Sequence, residues 1–327
     1  MTICSLLPSG TEIVYALGLG DQLAGVTDLC DYPPEAQLKP IISRSLIDTR
    51  VMSSAEVEAK MCQLQEAGVS PFQIDANALR QQSPDLVLTQ DTCAMCDPEA
   101  DDVQRALKGI DPYPEVMVLS PRTVSEILQS ITAVGRAAGA PEAARTLVNA
   151  LAARVRAVAA TAAQSPRRPR LMSLEGVHPL VAGGHWIPEL KRLAGGRDEL
   201  FTPGCPARRL AWTTVRDYDP DMLLITPCSS SLERSMREIG ALAEQDGWWD
   251  VQAVRRREVY VLDHVYFSRP GPRVVEGLEM LAQIVHPERF NGLIPDGAVL
   301  KLELAAGETC PPAALADAFQ PYPAVRV

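Results

Sequence analysis

Aromatic side chains are scarce, with four Trp, seven Tyr and five Phe in 327 residues. No apolar run approaches the ~18 residues that a helical membrane span requires, so insertion into a bilayer is not expected. No basic stripe or arginine-rich tail offsets the formal charge of −10, from 31 basic and 41 acidic residues. Phosphate backbones are repelled by such a surface, and nucleic acid is not an expected partner. The chain also lacks a Gly-x-Ser-x-Gly elbow and a phosphate loop. Its four histidines (His178, His185, His264 and His286) fall at no metal-ligand spacing. Gly18, Gly20 and Gly25 follow the first expected helix instead of preceding it, which rules out a dinucleotide fingerprint. Nowhere does the sequence assemble a nucleophile, a base and an orienting group, so no catalytic residue is assigned.

A secretory leader would put a basic segment and an apolar stretch ahead of folded sequence. Thr2–Leu7 already reads as a core strand and Ser9 opens a helix, so a cytoplasmic location is expected, and a periplasmic one only where a leader has been removed. Eight cysteines are present. In a chain of this length a core does not need disulfides, and most of them read as buried thiols.

Strand-like and helix-like stretches alternate, which predicts parallel sheets covered on both faces by helices. The β-rich runs are Thr2–Leu7, Leu23–Thr27, Asp85–Thr89 and Glu115–Leu119, then Arg170–Leu174, Met222–Thr226 and Glu258–Leu262. Between the fourth and fifth lies an alanine-rich stretch without strand signal. Gly139 marks a helix end there and Pro141 a helix start, with Glu142 favourable to the dipole. From Pro141 to Ala162, Leu147, Leu151, Val155 and Val158 recur on one helical face. Twenty-two helical residues reach roughly 33 Å, enough to bridge two lobes. The expected organisation is an α/β lobe over 1–121, a helical connector over 122–165, a second α/β lobe over 166–290, and a C-terminal extension over 291–327. In the extension, Leu300, Leu302 and Leu304 alternate with polar residues as in a half-buried strand.

Ligands of open parallel sheets bind beyond the carboxyl ends of the strands. The residues expected there are Pro8, Ser9, Asp31, Tyr32, Arg44 and Gln90 to Cys96 in the first lobe. In the second they are Glu175, His185, Trp186, Cys228, Ser229 and Tyr266 to Arg269. Ser9 and Glu12 stand at capping-box spacing, which would leave backbone donors at a helix start. Tyr32, Trp186, Tyr266 and Phe267 all fall at strand ends, where flat apolar walls suit a large planar ligand, although each could instead pack on its own lobe. Cys93 and Cys96 form a lone Cys-x-x-Cys that reads as structural thiols, as cleft contacts, or as a redox or metal pair, with no second motif to complete a zinc site. His185 is either an ordinary loop histidine or a group within reach of a bound metal complex.

Several segments resemble class III solute-binding proteins of the vitamin B12 (cobalamin) binding branch. They are Ser5–Glu12 with Tyr15–Gly20, Cys30–Ala36, Pro84–Gln90, Gly184–Leu190, Pro220–Ile225 and Tyr266–Arg273, in the family's order. The resemblance implies two Rossmann-like lobes, a rigid connecting helix and a corrinoid held in the cleft without chemistry. It matches Tyr32 to a tyrosine that contacts the corrin and Arg269 to an arginine at the cleft. Gln90 replaces a tryptophan of one transport branch, and Gln90 to Cys96 is similar to a signal-less branch. Transport members carry a permease-docking glutamate on each lobe. Asn77 and Thr213 stand at those positions, which counts against docking to an ABC permease. A stretch of about twenty extra residues near Met52–Phe72 enlarges the first lobe. The expected function is sequestration or delivery of cobalamin or a related corrinoid. The alternatives are an ABC-importer component for cobalamin, haem or a ferric siderophore, and a corrinoid-processing enzyme using Cys93 and Cys96.

Overall fold

The computed structural model describes residues 1–91 and 100–322. Two sheets form in succession, as the alternation of strand and helix signals requires. The first contains β1 (Ile3–Ser5), β2 (Leu23–Thr27), β3 (Ile41–Ser45), β4 (Phe72–Ile74), β5 (Leu86–Thr89) and β6 (Glu115–Val118), in spatial order β4-β3-β2-β1-β5-β6. All of its pairings are parallel except β3 with β4. The second contains β7 (Leu171–Val177), β8 (Leu180–Ala182), β9 (Arg208–Arg209), β10 (Met222–Ile225), β11 (Val259–Leu262), β12 (Val299–Leu302) and β13 (Phe319–Pro321), in order β13-β12-β11-β10-β7-β8-β9. Strands β5, β10 and β11 are buried along their whole length. Both faces of such strands must therefore be apolar, and the runs LVLT, MLLI and VYVL supply this. Each of the seven runs read from the sequence contains a strand, and the α/β two-lobe class holds.

The helices of the first lobe are α1 (Pro8–Ala16), α2 (Ser54–Glu66), α3 (Ala76–Gln82), α4 (Ala100–Ala106) and α5 (Val124–Ala137). Helix α5 begins where Thr123 caps the amide of Glu126, and Gly139 beyond its end takes φ +71°, which a residue with a Cβ resists. Helix α6 (Pro141–Ala163) follows. Its Ala144 and Leu151 belong to the core beneath the first sheet, and its Val158 and Ala162 to a core beneath the second. One rigid element is thus anchored in both lobes. The second sheet carries α7 (Ile187–Leu193), α8 (Trp212–Tyr218), α9 (Leu232–Glu238), the single turns α10 (Gly240–Ala243) and α11 (Gln252–Arg255), and α12 (Val274–Val285).

Two stretches that the sequence marked only in outline take definite form here. Residues beyond Phe290 supply antiparallel strands β12 and β13 to the second sheet, with Val299 and Leu302 buried and Leu300 intermediate. The extra stretch of the first lobe folds as α2 and β4. It has its own small core of Ile47, Val57 and Leu64 with Met52 and Met61, and α2 opens with a full capping box between Ser53 and Glu56.

Candidate functional site

The loops after β1, β2, β3 and β5 face those after β7, β10 and β11, and two adjoining chambers lie between them. Their volumes are about 270 and 350 Å³, the scale of small-molecule sites. The first is bounded mainly by second-lobe residues, among them Glu175, His178, His185, Trp186 and Phe267. The second is more polar and includes Pro8, Ser9, Asp31, His264 and Arg269. Thr49, Gln90, Ser268 and Pro270 belong to both.

Trp186 immediately precedes α7 and is buried. Its indole Nε1 donates to the Phe267 carbonyl at 2.7 Å, which fixes the ring's edge and leaves Trp186 and Phe267 as one apolar wall. His185 lies against the Trp186 ring, centroids 5.8 Å apart. It adopts φ +53°, held by its amide donating to Cys205 at 2.6 Å and its carbonyl accepting from Gly204 at 2.8 Å. Burial, then the charge of Arg122, lowers its pKa, so the ring is neutral at pH 7, the form that ligates metals. At Gly184 before it, a Cβ would fall 2.2 Å from the Ala207 nitrogen, so any other residue forces the backbone to shift.

Four of the expected cleft features require correction. Ser9 does not cap α1. The helix starts at Pro8 with Leu7 as its cap residue and no side-chain cap bond, and Ser9 lies buried in the first turn. Glu12, read as the other half of that cap, instead accepts from Arg273 at 2.9 and 2.5 Å and from Arg269 at 3.4 Å. Tyr32 lines neither chamber. It is 45% exposed, and the Arg273 guanidinium covers its ring, 4.1 Å from the centroid. Arg44 sits within β3, exposed and opposite Gln73, because the strand runs on to Ser45. Tyr266 packs against the core that contains Phe267. The aromatic wall is therefore made by two residues of the expected four.

Arg269 does reach the polar chamber, but its guanidinium is held by Asp31 in two hydrogen bonds. Burial would raise the Asp31 pKa, yet the bond and charge of Arg269 outweigh it and the value is lowered. His264, next to this group, is pushed down to about 3 by burial and then by the Arg269 charge. Gln90 is buried on the border of both chambers. Cys93 and Cys96 lie outside the described residues. Among the described residues no group of three or more His, Cys, Asp or Glu could hold a metal ion, and no helix is long and apolar enough to cross a membrane.

Two sheets with parallel centres and antiparallel edge strands, ligand-sized chambers at their facing carboxyl ends and one long helix tying them define a two-lobed solute-binding protein. A periplasmic binding protein family model matches residues 3–266, and the chain belongs to that family. A Bacillus subtilis protein named as an uncharacterized ABC transporter substrate-binding lipoprotein, YvrC, is 25% identical over 299 residues, covering 88% of this chain and 81% of its own. The periplasmic vitamin B12 binding protein BtuF of Vibrio cholerae superposes with a TM-score of 0.62 at 21% identity, covering 88% of this chain and 96% of its own. The periplasmic heme-binding protein RhuT from Roseiflexus sp. RS-1 does so with a TM-score of 0.65 at 23% identity, over 88% and 98%. The structural likenesses establish the class III fold.

Proposed function

We propose that the chain binds cobalamin or a related corrinoid between its lobes and sequesters or delivers it without chemical change. The observation that carries this reading is the pair of chambers at the carboxyl ends of both sheets, with Trp186 and Phe267 as a fixed apolar wall and polar side chains opposite. The segments that resemble the cobalamin-binding branch support the corrinoid over other flat guests. His185 on the chamber wall, its pKa lowered, supports a guest whose metal accepts an imidazole.

Heme is the second reading, favoured by the likeness to RhuT. The relative YvrC is named a lipoprotein and BtuF periplasmic, so the cytoplasmic location expected from the sequence gains nothing from them, and a role as the binding component of an ABC importer accompanies either ligand. Titration of the purified protein with hydroxocobalamin, dicyanocobinamide and hemin, followed by visible absorbance and calorimetry, tests the proposal. Saturable binding of a corrinoid at one equivalent supports it. Binding of hemin alone replaces it with the second reading, and no response to any of the three ends both.

A further inference from the structure

The helix inserted in the first lobe does more than enlarge it. The Ser54 amide and hydroxyl donate to the two carboxylate oxygens of Glu238 on α9, at 2.5 and 2.6 Å. Arg234, also on α9, donates to the Thr49 carbonyl and the Ser54 hydroxyl, both at 3.1 Å. Arg237 donates to the Arg50 carbonyl at 3.1 Å, and Arg209 pairs with Glu58. These contacts run from one lobe to the other across the mouth of the cleft. The Arg234 and Glu238 side chains are only 5% and 17% exposed, so water competes weakly for their bonds. Thr49 borders both chambers, which places the clasp along the partition between them.

We propose that the segment from Thr49 to Glu58 is a gate: it clasps α9, holds the cleft shut around its contents, and must release before a ligand spanning both chambers can enter or leave. The segment can move as a unit, because α2 packs on a cluster of its own, Ile47, Val57 and Leu64, apart from the core of the lobe. The clasp is made by protein groups alone, so it stabilises the closed form whether the cleft is full or empty. Weakening it therefore raises the rates of entry and exit together and leaves their ratio nearly unchanged. A residue that merely touched the ligand would alter the exit rate and the affinity instead.

The uptake measurement rests on the corrinoid reading, and a second measurement does not. Glu238 lines neither chamber, so Glu238→Ala removes the acceptor of two bonds while every side chain that lines the walls is kept, Ser54 and Arg234 included, and Glu238→Gln is the milder form. Losing charge-assisted bonds of this kind shifts an opening equilibrium by about tenfold or more. With hydroxocobalamin as probe in a stopped flow, the association rate of the wild type should level off at the opening rate. Glu238→Ala should raise that plateau and the dissociation rate each by about tenfold, with Kd changed less than threefold, and Glu238→Gln should fall between. In hydrogen exchange without ligand, peptides over residues 47–58 should exchange about tenfold faster in Glu238→Ala, with the β5 and β10 peptides unaltered. Unchanged uptake rates, or a changed dissociation rate with a proportionate loss of affinity, overturn the gate. Where no corrinoid binds, the functional reading fails, and the exchange result alone decides: equal exchange in wild type and variant overturns the gate.

Discussion

Glu12 and Arg273 bind α1 of the first lobe to the start of α12 in the second, and removing Glu12 alone should cost far more than removing both. The Glu12 and Arg273 side chains are 2% and 9% exposed, and the pair is bidentate at 2.9 and 2.5 Å. In Glu12→Met, Arg269 keeps Asp31, but Arg273 loses its hydrogen-bonded carboxylate and keeps the ring faces of Tyr32 and Tyr266 and the unbonded charges of Asp31, Asp263 and Glu276. A guanidinium is then left in a nearly dry site without its carboxylate, a situation that costs about 3–5 kcal/mol. The double variant Glu12→Met with Arg273→Met strands no charge on this pair. It loses the stacking on Tyr32, about 1 kcal/mol, and replaces the pair with apolar volume, a change that is often neutral. The expected cost is about 1–2 kcal/mol, so the coupling between the two positions is at least about 2 kcal/mol. Urea unfolding followed by far-ultraviolet circular dichroism measures all four members of the cycle. A double variant whose loss equals the sum of the single losses would refute the argument, because each residue would then act independently of its partner.

Protonation of His264 provides a pH test with a definite sign. Its folded pKa lies below the unfolded value of 6.5, at about 3, so its contribution to stability is full above pH 6.5 and declines as pH falls toward 3. The groups around it are Arg269, Arg273, Arg234 and Asp31, and three of these four repel a second positive charge. The residue is half-buried, and solvent screening trims the effect to about 1 kcal/mol between pH 7 and 5. His264→Gln should flatten the urea midpoint across that range by this share. The rest of the slope stays with His185 and His286, which burial depresses in the same direction, and an unaltered profile in the variant counts against the assignment. Gly184→Ala forces a Cβ to within 2.2 Å of the Ala207 nitrogen and 2.5 Å of the Pro206 carbonyl carbon. Backbone must move, at a cost of about 1–3 kcal/mol, and the wall holding His185 moves with it. Thermal unfolding should show the loss, and an unshifted midpoint would mean that the loop yields freely.

What could be read from the sequence divides along a physical line. The runs LVLT and MLLI, like the three- and four-residue apolar steps of α6, carry their message within a few residues, since burial of a strand or of one helical face is written at its own period. The strand-end rule likewise located Gln90, Trp186 and Arg269, because topology sends those loops to the same end of the sheets. It overshot at Arg44, where β3 continues to Ser45. Strands β4, β8 and β9 have two or three residues each, too few to display alternation. Charge partners have no period at all. Glu12 stands three residues after Ser9, which is also the spacing of a helix cap, and only the presence of Arg273, 261 positions later, decides that its carboxylate turns inward to join the lobes. The same Arg273 covers Tyr32, so one distant side chain both removes a capping box and withdraws an aromatic wall. The clasp follows the same rule. Ser54 and Glu238 are separated by 184 residues, and nothing near either one announces the other. The α/β framework is thus encoded locally, whereas how tightly the two lobes are held depends on pairs of charges that meet only after both sheets have formed. It follows that substitutions at Glu238 or Arg234 can change how a ligand enters while every strand and helix forms as before.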